Sequence, residues 1–562
     1  MAADAATVRR LRVLSRVIAG VRKNNASAKT LWNVEVEAVP PGAEEAHRIL
    51  LTTAALSFVA DLTRTFEHGI QELYRRRAQS KCEFADGRRL PAFRHGDNSA
   101  ASGDWRVAPV PSRLTNRHVD LGDVSPADID HFRAALKADV QGIQVDFDDG
   151  HCPTWGNQLA GLLAVYRAVH GTLEGAPPIT ECPVLMLRPR AWNMAERNLL
   201  VDGKEVPGAV FDFALLMFHC GHILAANRSG PFFYLSKVEG AFEARLWNEI
   251  FVWAQDALRI PRGTIKACVL IENILSSFEM EEILYELREH SLGLNCGIWD
   301  YAASIIAKFG DRKEFVLPDR NKYVNMEKHF LVSYMRLVVQ TCHRRGAHAT
   351  GGMAAFVVEG DGRYAKAKEK LIVDKVCQAK LQEIQHGVDG FMVYDLRLVP
   401  YVNQLWECAA ADVNQLSVIH PALVVSREDL LQMPAGGVTE EGLRHNIAVA
   451  VLFVFHWFKG RGHFFYRGCV EDSATAEISR SQVWQWIRHQ VCMEKTNVMV
   501  TKHLVKQLTT EFVQQHPFCK ADVTKMQAAA EVFMDIVTRR EFPDFITTYL
   551  NQCPIFWHFQ RV

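Results

Sequence analysis

At 562 residues the chain exceeds what one small core can organise, and its length suits three or four structural units or one large barrel with additions. Lys plus Arg and Asp plus Glu balance at 64 each, so no global charge draws the chain to nucleic acid or anionic lipid, and a small substrate is the default partner. The 13 cysteines are odd in number, scattered and never spaced C-x-x-C, which disfavours a disulfide framework and a zinc ribbon and points to a reducing intracellular compartment.

Residues 1–33 form a basic leader. It carries Arg9, Arg10, Arg12, Arg16 and Arg22 against the single acid Asp4, with Leu11, Leu14, Val17 and Ile18 between them. Two readings fit: an amphipathic transit peptide, which favours a mitochondrial address, or an ordinary basic surface helix. The C-terminal FQRV differs from the S-K-L type of signal, which weakens a peroxisomal or glyoxysomal address without removing it. Residues 34–105 read as a helical N-terminal region: VPPGAEEAH makes a turn, and helical periodicity runs to about residue 80, ending in Arg75, Arg76 and Arg77.

Across 106–415 short apolar runs alternate with longer helical stretches. The runs include GIQVDF at 142–147, PVLMLR at 183–188, PFFYLSK at 231–237, KACVLIE at 266–272, GLNCGI at 293–298 and GVDGFMVYD at 387–395. Their spacing leaves room for a helix between most neighbours, which predicts repeated strand-helix units and a parallel sheet closed into a barrel. Several runs finish on charge: Asp146 with Asp148 and Asp149, then Arg188, Lys237 and Glu272. In a strand-helix barrel such positions converge on one mouth, so these charges form a candidate site.

Residues 416–562 read as mostly helical and separate. Within them, Asp472 or Ser473 of CVEDSATAEISRSQVWQWIRH can cap a helix whose Ala476, Val483, Ile487 and Val491 share a face, and Glu471 reads as structural. No apolar run approaches the length of a membrane span; the longest, IAVAVLFVF, stops at His456. The chain contains no P-loop, no G-x-G-x-x-G after a strand, no H-E-x-x-H and no G-x-S-x-G.

Eight blocks in order make the chain resemble the A-type malate synthases: DFDDGHCPTW, LRPRAWN, VDGKEVPGAVFDFALLMFH, FYLSKVEGAFEARLWN, IENILSSFEMEEILYELREH, GLNCGIWDY, GAHATGGMAA and EDSATAEISRSQVWQWIRH. The resemblance implies a (β/α)8 TIM barrel with an N-terminal α-helical clasp and a C-terminal α-helical domain that closes over the barrel mouth. It further implies a Claisen condensation of acetyl-CoA with glyoxylate that uses Mg2+ and releases malate and CoA, the reaction of the glyoxylate cycle. By position, the family's metal-binding carboxylates match Glu272 and Asp300, its catalytic arginine matches Arg188, and its catalytic base matches Asp472. Arg190 stands in the same block as Arg188 and could exchange roles with it. Gly297 and Trp299 are expected to shape the glyoxylate pocket.

The chemistry suits those residue types. Magnesium prefers oxygen ligands and keeps open positions, so two carboxylates leave room for glyoxylate. A thioester methyl has a pKa on the order of 20 against about 4 for Asp, so the enolate needs help of roughly 20 kcal/mol, at about 1.4 kcal/mol per unit. A permanently charged guanidinium in a water-poor site is the kind of group that supplies much of it.

The chain also departs from the family pattern, with Ala191 and Asn193 in RPRAWN, Ile298 before Trp299, and Tyr394 and Asp395 in place of a late H-P pair. These changes touch none of the four inferred catalytic positions. They keep two alternatives open: a member that binds CoA ligands with altered catalysis, and a related acyl-CoA lyase working on another 2-oxo acid.

Overall fold

The computed structural model describes residues 14–15 and 33–561, apart from 86, 88, 95–99, 359–362, 411 and 517–521, so the transit-peptide expectation lies outside the described residues. Eight short strands form a closed, all-parallel barrel: β1 (Val119–Val124), β2 (Gly142–Asp146), β3 (Val184–Arg188), β4 (Phe232–Leu235), β5 (Lys266–Ile271), β6 (Ser291–Cys296), β7 (His348–Ala354) and β8 (Gly390–Val393). Each strand pairs with the next, and β8 returns to β1 through Phe391↔Val119 and Val393↔Leu121. This is the predicted TIM barrel.

Side chains alternate across each strand, so one set fills the barrel and the other meets the surrounding helices. The inner set includes Val184, Met186, Phe232, Tyr234, Cys268 and Leu270, a cluster distinct from the main core outside the barrel. That plug leaves chemistry only to the ends of the strands.

On the amino-terminal side, the 33-residue helix α1 (Thr53–Ala85) buries Leu56, Val59, Leu62, Phe66, Ile70 and Leu73, a stripe with spacings of three and four. The stripe lies on the barrel's outer helices, including α2 (Gly208–Ala226). Strand Val34–Glu37 adds to the hairpin formed by Ala195–Val201 and Lys204–Pro207, tying the start of the chain to the β3–β4 connection.

One expectation is corrected here. Helix α2, 19 residues long with a mean hydropathy of 1.7 over an 18-residue window, is long and apolar enough to cross a membrane, although the sequence reading found no such run. In this fold it is a core helix: two-thirds of the apolar window is buried, and its one acid, Asp212, is neutralised by Arg190.

The barrel helix α3 (Ile298–Phe309) packs directly on the C-terminal domain, whose central pair is α4 (Glu440–Phe458) and α5 (Ser473–Arg488). Helix α5 is buried almost all round. Several of its polar side chains are paired with backbone: Trp486 Nε1 donates to Leu317 O at 2.8 Å, Trp484 Nε1 to Arg539 O at 2.9 Å and Gln485 Nε2 to Phe315 O at 2.8 Å. The bonds to Phe315 and Leu317 tie the domain to the connection between β6 and β7.

No disulfide joins the twelve cysteines among the described residues.

Candidate active site

Each functional side chain is positioned by the local structure of its own strand end. Asp146 closes β2, and its two oxygens accept from the amides of Asp148 and Gly150, both at 2.7 Å. This tight turn aims Asp148 and Asp149 inward. Lys237 follows β4 with a left-handed φ of 54°, donates its amide to Glu272 Oε1 at 2.7 Å, and sends its ammonium to Asp148 Oδ2 at 2.9 Å and Asp149 Oδ1 at 2.7 Å. Glu272 ends β5. Asp300 sits in the first turn of α3, where the helix amides favour a negative charge.

Arg188, at the end of β3 and 3% exposed, touches four acids: an ion pair with Asp149, then Asp146 and Asp148 each at 3.6 Å and Asp123 at 3.8 Å. Its Nε has no hydrogen-bond partner, and neither does the buried Oδ1 of Asp300. The site is thus incomplete as far as the protein's own groups go.

Asp472 arrives from the C-terminal domain. It is the N-cap of α5, accepting from the Thr475 amide at 2.9 Å while its own amide donates to Thr475 Oγ1 at 3.0 Å, a reciprocal capping box. The next residue locks the domain to the barrel, since the Ser473 hydroxyl donates to Asp149 Oδ1. The cap predicted from sequence is present, and the capping residue is also delivered to the barrel mouth. Glu471 turns the other way, 3.9 Å from Arg320.

Seven carboxylates, those of Asp123, Asp146, Asp148, Asp149, Glu272, Asp300 and Asp472, therefore crowd against Arg188 and Lys237. The consequences follow from burial and like charge. Burial pushes Glu272 up to about 7 and Asp146 up to about 6, with Lys237 and Arg188 respectively opposing. Asp300 is raised by burial, against Lys237, and Asp123 by burial together with Asp472. Asp149 goes down: burial raises it, but Arg188 and Lys237 outweigh that.

A site with this excess of negative charge favours a cation. Asp149, Glu272 and Asp300 each place one oxygen within 4.8 Å of the others, the spacing a single ion spans. All three are hard oxygen donors, and the unpartnered Asp300 Oδ1 is free to ligate, so the set fits Mg2+.

The structure brings Glu272, Asp300, Arg188 and Asp472 to one place and sets the other candidates around them. Gly297 packs against Glu272, where an added Cβ would lie 2.9 Å from both Glu272 Cβ and Oε2, so a glycine is required for that carboxylate to occupy its position. Trp299 lies half-buried under the Arg320 guanidinium, 4.9 Å from its ring centre. Arg190 does not join the site. Its guanidinium is taken by Asp212, at 2.8 and 2.9 Å, and by Glu196 at 2.8 Å. Replacing Arg190 with Met should leave Asp212 buried and unpaired, costing about 3–5 kcal/mol. Thermal unfolding should show the loss, while the KM for the small substrate stays unchanged.

Sequence reasoning missed Asp123 and did not single out Asp149 or Lys237 from the other strand-end charges. The departures from the family pattern are not among the clustered acids and their two cations, though Ala191 reaches Asp148 through its backbone. Ala191 offers only its amide, to Asp148 at 3.1 Å; the Asn193 amide donates to Thr548 Oγ1 at 2.9 Å; and Tyr394 Oη lies 3.3 Å from His463 Nε2.

Two family models match the chain: "Malate synthase, TIM barrel domain" over residues 184–433 and "Malate synthase, C-terminal" over 437–553. A malate synthase of Myxococcus xanthus is 40% identical over 509 residues, covering 89% of this chain and 93% of its own. The Dictyostelium discoideum malate synthase is 36% identical, covering 89% and 93%, and malate synthase A of Escherichia coli is 36% identical, covering 90% and 95%.

Proposed function

The chain belongs to the malate synthase family, and from that premise we propose that it condenses acetyl-CoA with glyoxylate and hydrolyses the malyl thioester to malate and CoA. The observation that carries the reading is the meeting, at one barrel mouth, of a cation-ready carboxylate trio, a buried arginine and a carboxylate delivered by a second domain.

Glu272 and Asp300 would hold Mg2+, with Asp149 beside them. When bound there, magnesium supplies Lewis-acid polarisation of the glyoxylate aldehyde and offsets the acidic crowd.

The remaining work falls to the protein. The Asp472 carboxylate takes a proton from the thioester methyl, and the C–H electron pair moves into the enolate. Arg188 stabilises the negative charge that develops on the thioester oxygen; it is buried, so its field is little screened, and it is already oriented by Asp149. The enolate carbon forms a bond to the aldehyde carbon, whose oxygen gains the charge and is then protonated. Water adds to the thioester carbonyl, the C–S bond breaks, and the thiol leaves with a proton. Lys237 and Ser473 do not touch the reacting atoms in this account. They hold Asp149, and through it the register between barrel and C-terminal domain.

Free thiol appearing from acetyl-CoA tests the reading. Release should require glyoxylate, stop when EDTA removes divalent ions and return with excess Mg2+. Release that is absent, or that runs equally without glyoxylate, overturns it.

A further inference from the structure

The acidic cluster opens to the outside through a cavity of about 500 Å³ whose inner end is formed by Lys237, Glu272 and Asp300. Its walls come from α1, from the segment around Trp192, from α3 and from the C-terminal segment around Phe545. Helix α3 contributes Asp300, Ala303 and Ala307, one side of one helix at i, i+3 and i+7. The helix that carries a candidate metal carboxylate thus lines the way out with two methyl groups, beside Ser304 and Lys308. Asp123, Arg188 and Asp472 do not line this cavity among the described residues, so the candidate base and the guanidinium address the cluster from another side.

Four ammonium groups mark the passage, and Lys204 pairs with Glu67 on its wall. Lys81 meets Asp544 at 2.7 Å, Lys308 meets Glu239 at 2.7 Å, and Lys237 meets Asp149 at 2.7 Å. Each is paired, so together they give an anion successive partners without a trap deep enough to hold it.

We propose that this cavity is a separate portal: the small 2-oxo acid enters and the hydroxy-acid product leaves through it, while the thioester reaches Asp472 and Arg188 from the other side. The proposal rests on the condensation reading above. That reaction needs two substrates in one buried site at once. A bulky thioester whose acyl end lies against Asp472 closes its own route, and an opening at Glu272 and Asp300 lets the smaller partner arrive and its product depart regardless.

A portal governs rates, whereas a binding pocket governs equilibria. The test therefore places bulk in the passage from two walls, with Ala307→Phe on α3 and Ala78→Phe on the exposed face of α1, and follows glyoxylate association with the Mg2+-supplemented protein by stopped-flow tryptophan fluorescence. Both variants should slow association about tenfold, and lower kcat/KM for glyoxylate in step, with the equilibrium Kd for glyoxylate and the KM for acetyl-CoA unchanged. Unchanged association overturns the portal, as does a rise in the acetyl-CoA KM, which would make the cavity the thioester's route. A change in glyoxylate Kd overturns it too, by showing that the substitutions distort the site. Because Ala78 is exposed, that variant should fold even if Ala307→Phe does not. Failure of the wild-type protein to bind glyoxylate would instead remove the reading beneath the proposal.

Discussion

Asp472→Asn should lower kcat by about a thousandfold or more while acetyl-CoA binding and thermal stability are retained, since general-base catalysis contributes roughly 10²–10⁴. The substitution separates two jobs held by one side chain. Asn is as good an N-cap as Asp, and its Oδ1 can accept from the Thr475 amide just as Asp472 does at 2.9 Å. Helix α5 should therefore stay in place, and only the capacity to take a proton disappears. Asp472→Ala is the contrasting variant, losing the cap as well, at about 1 kcal/mol. Steady-state kinetics with calorimetric binding of acetyl-CoA distinguish the cases. An Asn variant that turns over normally reduces Asp472 to a cap.

The second large effect concerns Arg188. Arg188→Lys keeps the charge but should still cost about 10²–10³ in kcat, because a point-like ammonium cannot reproduce the planar donor set. The guanidinium lies within 3.8 Å of Asp123, Asp146 and Asp148 and is ion-paired with Asp149, so it is held on several sides while its Nε remains unpartnered. A lysine can satisfy one or two of those acids, and its remaining proton would point elsewhere. The expected signature is a fall in kcat much larger than any change in the KM for acetyl-CoA. A lysine variant with near-normal kcat would falsify the role given to Arg188.

Six of the eight barrel strands are legible as apolar runs, and the two that are not share a cause. Strand β1 reads VDLGDV and β7 reads HATGGMA, with glycines and acids where a strand is expected to show branched apolar residues. The glycines answer to packing. A Cβ on Gly122 would fall 2.5 Å from Met353 Sδ, and one on Gly351 would fall 1.9 Å from Glu383 Oε2. Close approach between neighbours is invisible in a linear pattern. Helix α2 escaped notice for a related reason: Asp212, His219 and His222 interrupt its apolar stretch, and only the fold supplies the Arg190 that neutralises the first.

The candidate site was legible to a different depth. Family motifs point at Glu272, Asp300, Arg188 and Asp472, and those four do converge. Asp149 and Lys237 were visible only as charges at strand ends, because nothing in spacing says which strand-end charges face one another around a ring. Asp123 gave a weaker signal still. It has a left-handed φ of 52° in a non-glycine residue, a backbone state that sequence does not announce. Arg190 shows the opposite failure, since a motif arginine two residues from Arg188 spends its whole guanidinium on Asp212 and Glu196.

The bond from Ser473 to Asp149 has a bearing on how the protein is made. The carboxylate trio is complete once Asp300 has been translated, and the last barrel strand follows at Gly390–Val393, whereas Asp472 lies well beyond both. At ribosomal speeds of about 5–20 residues per second, the interval between Asp300 and Asp472 lasts on the order of ten to thirty seconds. A nascent chain in that interval carries the candidate cation ligands but not the candidate base. On the proposed mechanism the emerging polypeptide stays silent toward thioesters until its final domain docks, and docking brings the Ser473 hydroxyl onto Asp149, an acid of the candidate cation site.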